Sequence, residues 1–136
     1  MSVLTICEQS PPAVSVESTV AEAIRQMLDG NAGAVAILDS ERVVAGIFTE
    51  RDVMERVALS GRDPAATLIH EVRTTPVELA TCLTTEAEAL AVMLERHYRH
   101  LPVVDDHGRL LGMLSIRHVL EARIDDLLRQ LGDSRT

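Results

Sequence analysis

Aromatic side chains are nearly missing from this 136-residue chain, which has one Phe, one Tyr and no Trp. With hydrophobic residues at 46%, its core must therefore be aliphatic. Cysteine is scarce as well, and Cys7 and Cys82 are too few and too scattered for a disulfide framework or a zinc site. There is no cluster of basic residues, and a net charge of -8 argues against nucleic acid, whose phosphates are held by clustered cations. The same charge disfavours an anionic membrane surface. A small phosphorylated ligand stays open, because it needs only two or three local Arg, His or backbone NH groups. No apolar run reaches the length of a membrane span, and the start carries no basic segment followed by an apolar one, so a cytoplasmic location is expected.

What the chain has is self-similarity. Shifted by 66 positions it matches itself without a gap, and between Thr19 and Glu55, 37 positions, eleven pairs are identical. They include Thr19/Thr85, Glu22/Glu88, Met27/Met93, Asp39/Asp105, Gly46/Gly112 and Arg51/Arg117. The fold is therefore expected to be a duplication: a first repeat over 1–62, a linker over 63–67, a second repeat over 68–131 and a tail over 132–136. Charged residues at 25% fit a globular module of two half-domains sharing one core.

The elements follow from periodicity. Ala13 to Val16 alternates and reads as a strand. Thr19 and Glu22 form a capping-box signature, and Val20, Ile24, Met27 and Leu28 make one helical stripe that Gly30-Asn31 ends, glycine tolerating the left-handed conformation. Ala34 to Leu38 suits a strand buried on both faces, and Asp39-Ser40-Glu41 turns it into a second strand, Val43 to Phe48. Thr49 then caps a helix with Val53, Met54 and Val57 inward. The second repeat runs likewise: a strand near Val77 to Cys82, a capping box from Thr85 to Glu88, a helix to His97, a hairpin from Leu101 to Leu114, and a longer closing helix carrying Leu120, Ile124, Leu127, Leu128 and Leu131. Short apolar lead-ins, Val3, Leu4 and Ile6 and then Ile69 and Val72, precede the repeats and are expected to pack across onto a neighbour. A half alone would leave its sheet half covered, so the halves should pack sheet to sheet.

With Gly-x-x-Thr-x-x-Asp at Gly46 to Asp52 and Arg-His-Leu-Pro-Val-Val-Asp at Arg99 to Asp105, the chain resembles a pair of cystathionine-β-synthase (CBS) domains over roughly Val3 to Leu128. It is most similar to the small stand-alone members. The resemblance implies an α+β (α/β) fold of two βαββα-type repeats packed sheet to sheet about a pseudo-twofold axis. It implies two clefts that take adenine nucleotides such as AMP, ADP or ATP, or related adenosyl compounds, and it implies a homodimer. The expected function is that of a regulatory module without catalysis, which has no obligatory cofactor and binds an adenosine-containing ligand that an unidentified regulated protein reads. The rival reading is a ligand-free assembly module acting through protein contacts.

Within the motif, Arg51 and the Thr49 hydroxyl can reach a phosphate, and the acceptor-only carboxylate of Asp52 suits the two hydroxyls of a ribose. Thr-x-x-Asp is equally a helix-capping device, and the two readings are compatible. Val14, Val16, Ala34, Val35 and Ile47 are expected to wall the adenine. Arg99 and His100 either hold the phosphate of the Asp52 cleft or simply begin a solvated strand. In the second repeat Ser115 and Arg117 survive but His118 replaces the acid, so this cleft, with Pro102 and Met113, is expected to be degenerate. His97 and His100 have metal-like spacing without acidic or Cys partners, so no metal is expected. Cys82, matching Val16, is expected in the core. The five Met are expected as gap-fillers at helix core positions. No Walker loop, paired-carboxylate motif or nucleophile elbow suggests an enzyme.

Overall fold

Thr19 fixes where the first helix begins. Its hydroxyl accepts from the Glu22 NH at 3.2 Å while the Glu22 carboxylate accepts from the Thr19 NH, so two orphan donors of the first turn are satisfied. This computed structural model describes residues 2–74 and 78–134. In chain order the elements are β1 (Ala13–Ser15), α1 (Val20–Asp29), β2 (Ala34–Leu38), β3 (Val44–Thr49) and α2, a turn of α-helix (Glu50–Asp52) that runs on as a π-helical turn (Val53–Ala58). Then follow β4 (Ala80–Thr81), α3 (Glu86–Arg96), β5 (His100–Val104), β6 (Leu110–Ser115) and α4 (Ile116–Ser134). None of the helices among the described residues is long and apolar enough to cross a membrane.

Each repeat forms a three-stranded sheet, ordered β1-β2-β3 and β4-β5-β6, with a parallel first pair and an antiparallel second. The duplication extends to irregularities. The register shifts between Ile37 and Leu38 and again between Val103 and Val104, 66 positions on. The two hairpin turns meet, where the Val44 NH donates to the Gly108 carbonyl at 3.0 Å.

Alternation divides each sheet between two cores. Val35, Ile37 and Phe48 face α1 with Val20, Ala23 and Met27, whereas Ala34, Ala36, Leu38 and Ile47 face the other repeat and meet Met113. In the second repeat Leu101, Val103 and Leu114 pack against Ala89 and Met93. The expected sheet-to-sheet packing is thus the Ala34–Ile47–Met113 layer.

The lead-ins cross over. Val3 and Cys7 lie in the core of the second repeat, and Ile69 and Val72 lie in that of the first. Each fully buried side chain of this size contributes about 1.5–3 kcal/mol, so both cores depend on a segment from the other half. Running on, the Glu8 backbone pairs with Met113 and that of Thr74 with Ile47. The twin glycines make room for this. A Cβ on Gly112 would stand 2.6 Å from Cys7 Sγ and 2.7 Å from the Glu8 carbonyl oxygen, and one on Gly46 would stand 2.9 Å from Arg73 Cδ.

Several local expectations differ from the structure. Gly30 stays right-handed, at φ -88° and ψ -1°, and Asn31 takes the left-handed conformation, φ 48°. Met54 points outward, because the π-helical turn widens the spiral and leaves only Val53 and Val57 against the core. Met113 is on a strand, so Met27 and Met93 are the helix core methionines. β4 is only two residues long, so Cys82 falls in the turn beyond it and is exposed. Val77, expected to begin that strand, lies outside the described residues, as do the last two residues of the expected tail. Around Thr85 the box is incomplete: its hydroxyl accepts from the Glu88 NH at 3.2 Å but donates to the Glu88 carboxylate.

Candidate functional site

The two copies of the motif close their sheets in the same way and end in opposite chemistry. At the end of β3 the Asp52 carboxylate accepts from the Thr49 NH at 2.9 Å and from the Thr49 hydroxyl at 3.2 Å, and the Thr49 oxygen accepts from the Asp52 NH at 3.3 Å. The capping role is therefore realised. Asp52 is also 5% exposed, and two further groups reach it: the Thr74 hydroxyl, at 3.2 and 3.4 Å from its two oxygens, and Arg56 Nε at 3.3 Å. Neither neighbour was foreseen. Arg56 is legible as an i+4 partner, and Thr74 only from the crossing of the lead-in. Arg51 extends along the helix surface, its Nε 2.8 Å from Glu55, an exposed pair of little energetic weight.

At the end of β6 the Ser115 NH donates to His118 Nδ1 at 3.0 Å, and the His118 NH donates to the Ser115 oxygen at 3.3 Å. With Nδ1 accepting, the neutral ring carries its proton on Nε2. Burial, and then the Arg117 charge, hold the His118 pKa below the usual imidazole range. Asp52 thus offers acceptor oxygens where His118 offers an N–H donor.

Beside His118 lies a cavity of about 1190 Å³, walled by the Pro11–Ser15 stretch, by Asn31 to Ala34, and by Arg99, His100, Met113, Ser115, Arg117 and His118. Arg99 and His100, expected with the Asp52 cleft, belong to this one. His100 comes within van der Waals reach of Gly33, where a Cβ would stand 3.3 Å from His100 Nε2. Its pKa is pushed down to about 4 by burial first, and then by the His118 and Arg99 charges.

The expected adenine walls also redistribute. Val14 and Ala34 line the His118 cavity, Ile47 sits in the inter-repeat layer beside Thr74, and Val16 and Val35 pack on the α1 side. The reason is sheet order. β1 and β3 occupy opposite edges, two strand spacings or about 10 Å apart, so β1 of the first repeat faces the motif of the second. Pro102 is fully buried, on the face of β5 opposite Leu101 and Val103. Glu8 and the Pro11–Pro12 segment are cavity residues that sequence reading missed.

Comparison with known proteins agrees with the duplicated fold. The CBS domain profile matches residues 3–59 and 69–125. An uncharacterized 17.7 kDa protein of Acidianus ambivalens is 37% identical over 114 residues, 84% of this chain and 68% of that protein. The mitochondrial CBS domain-containing protein CBSX3 of Arabidopsis thaliana is 30% identical over 121 residues, 86% of this chain but only 58% of its own length. Among solved structures, a protein with CBS domains from Burkholderia ambifaria superposes with a TM-score of 0.85 at 32% identity, covering 93% of this chain and 96% of that one. Two more distant structures hold ligands. A CBS domain protein from Pyrobaculum aerophilum is complexed with AMP (19% identity, TM-score 0.80, 87% of this chain and 89% of that one). Another CBS domain pair is in complex with 5′-methylthioadenosine and S-adenosyl-L-methionine (21% identity, TM-score 0.84, 93% and 98%).

Proposed function

The chain belongs to the CBS-domain family, and from that premise we propose that it is a regulatory module that binds an adenosine-containing small molecule between its two repeats. The observation that carries the reading is the Asp52 carboxylate, which already accepts a hydroxyl from the opposite repeat at 3.2 Å. A ribose presents two such hydroxyls, and an ionised carboxylate accepts from both while donating to neither. The ligand takes the place of the Thr74 hydroxyl, with Thr49 and Arg51 beside its phosphate. Distant relatives complexed with AMP and with S-adenosyl-L-methionine support this ligand class.

Regulation follows from exchange at a boundary. Thr74 belongs to the lead-in that plugs the first core, so a ligand that displaces its hydroxyl shifts how the halves sit, and a partner protein reads the shift. Calorimetric titration with adenosine, AMP, ADP, ATP, S-adenosylmethionine and NAD tests the reading. Heat from at least one adenosine compound, with weaker binding in Asp52→Ala, is expected; no binding by any of them at millimolar concentration overturns it.

A further inference from the structure

Arg56 joins the two segments that meet at Asp52. It stands on the π-helical turn, and its guanidinium reaches two ways: Nε lies 3.3 Å from an Asp52 carboxylate oxygen, and Nη1 donates to the Arg73 carbonyl at 3.1 Å. Arg73 and Thr74 continue the lead-in of the second repeat, so one planar fork spans the motif and the segment lying over it. That segment is closely seated. The Thr74 NH donates to the Ile47 carbonyl at 2.9 Å, the Ile47 NH to the Thr74 carbonyl at 3.3 Å, and a Cβ on Gly46 would stand 2.9 Å from Arg73 Cδ. With the Thr74 hydroxyl on both its oxygens, Asp52 is only 5% exposed, and a ligand reaches the carboxylate only when the lead-in moves.

In the second repeat the same backbone bridge exists without the fork. The Glu8 NH donates to the Met113 carbonyl at 2.9 Å and the Met113 NH to the Glu8 carbonyl at 3.0 Å, each residue 66 positions from its counterpart in the first bridge. Ala122 stands where Arg56 would, Glu8 where Thr74 would and His118 where Asp52 would, and the helix around Ala122 is regular α rather than π. The three side chains have gone together. On that side, Glu8 and Met113 border the open cavity of about 1190 Å³. We propose that Arg56 is a positioning residue, a latch that keeps Arg73 and Thr74 closed over Asp52 and so sets how readily that carboxylate meets a ligand. Removing it acts in one direction on two counts: the lead-in opens more often, and an Asp52 oxygen loses a neighbouring donor and is left to accept from an outside one. The consequence for ligand rests on the adenosine reading of Asp52, whereas the latch itself belongs to the free chain.

Amide hydrogen exchange on the full chain, without ligand, tests the latch and carries its own control in the twin bridge. The Arg56 side chain is half exposed, so Arg56→Met opens no core. In that variant the Thr74 NH should exchange about tenfold faster than in the wild type, the worth of a hydrogen bond to a charged group, while the Glu8 NH keeps its wild-type rate. Arg56→Lys keeps a charge beside Asp52 but not the planar fork, and should leave the Thr74 NH at least about threefold faster than in the wild type. An unchanged Thr74 rate in Arg56→Met, equal acceleration at Thr74 and Glu8, or full protection in Arg56→Lys overturns the latch. Adenosine titrated into the same proteins should bind Arg56→Met about threefold more tightly than the wild type, and equal or weaker binding overturns the control of ligand by Arg56. Adenosine binding to neither protein removes the ligand reading, and the exchange rates then decide the latch alone.

Discussion

The hydroxyl of Thr74 donates to both carboxylate oxygens of Asp52, at 3.2 and 3.4 Å, across 22 residues of chain and from one repeat to the other. It occupies the place proposed for a ribose hydroxyl, so it competes with ligand. Thr74→Val, nearly isosteric, removes the competitor and leaves Asp52 bound by Thr49 and Arg56. Adenosine affinity should rise about fivefold, the worth of one hydrogen bond of about 1 kcal/mol, with a slightly lower Tm. Unchanged or weaker affinity would show that the hydroxyl is no competitor.

Asp52→Ala removes the proposed ribose acceptor together with the reciprocal half of the capping box, the bonds from the Thr49 NH and hydroxyl. Ligand binding should weaken by about 1–3 kcal/mol, the range for a charged hydrogen-bond partner, and thermal stability should fall as well. His118→Ala should leave adenosine binding unchanged. Abolition of adenosine binding by His118→Ala would reverse the assignment of the two clefts.

The glycines give a steric prediction with an internal control. At Gly112 a new Cβ meets backbone, the Glu8 carbonyl at 2.7 Å, whereas at Gly46 its nearest neighbour is the flexible Arg73 side chain. Gly112→Ala should therefore cost about 1–3 kcal/mol in urea unfolding and Gly46→Ala markedly less. Equal costs would mean that the lead-ins yield alike.

How much of this was legible follows from the residues themselves. The repeat, the three capping threonines Thr19, Thr49 and Thr85 and the four longer strands were readable, because period, cap chemistry and the 66-residue twin agree there. Which walls face which motif was not: Val14 and Asp52 sit in one repeat, yet sheet order puts Val14 in the wall of the cavity beside His118, away from Asp52. Met54 and Cys82 were misplaced for local reasons, a π-helical turn and a strand that stops at Thr81, neither of which leaves a mark in hydrophobic periodicity.

His100 makes stability pH-dependent. Its pKa is pushed down to about 4, so the folded chain keeps it neutral while the unfolded chain protonates it below about 6.5. Its contribution is fully present above pH 6.5 and is lost as pH falls toward 4, a change on the order of 3 kcal/mol. His118, shifted the same way, adds to it. Urea unfolding at pH 7.5, 5.5 and 4.5 should show the decline, and His100→Asn should flatten it; a parallel decline in the variant would assign the effect elsewhere.

On α4, Leu120, Ile124, Leu127 and Leu128 are 48–61% exposed along one face, and a homodimer would cover it. Sedimentation at micromolar concentration should give a dimer, and Ile124→Glu with Leu127→Glu should give a monomer. A wild-type monomer would leave that face to some other partner.

The crossed lead-ins have a mechanical meaning. From Val3 to Glu8, six residues begin as a plug in the second core and end as a wall of the His118 cavity, and Ile69 to Thr74 do the same between the first core and Asp52. The wall residue at the end of each segment is thus joined by a strap of about 20 Å at full stretch to the packing of a core. A displacement of either wall is therefore transmitted along its strap to a plug in a core.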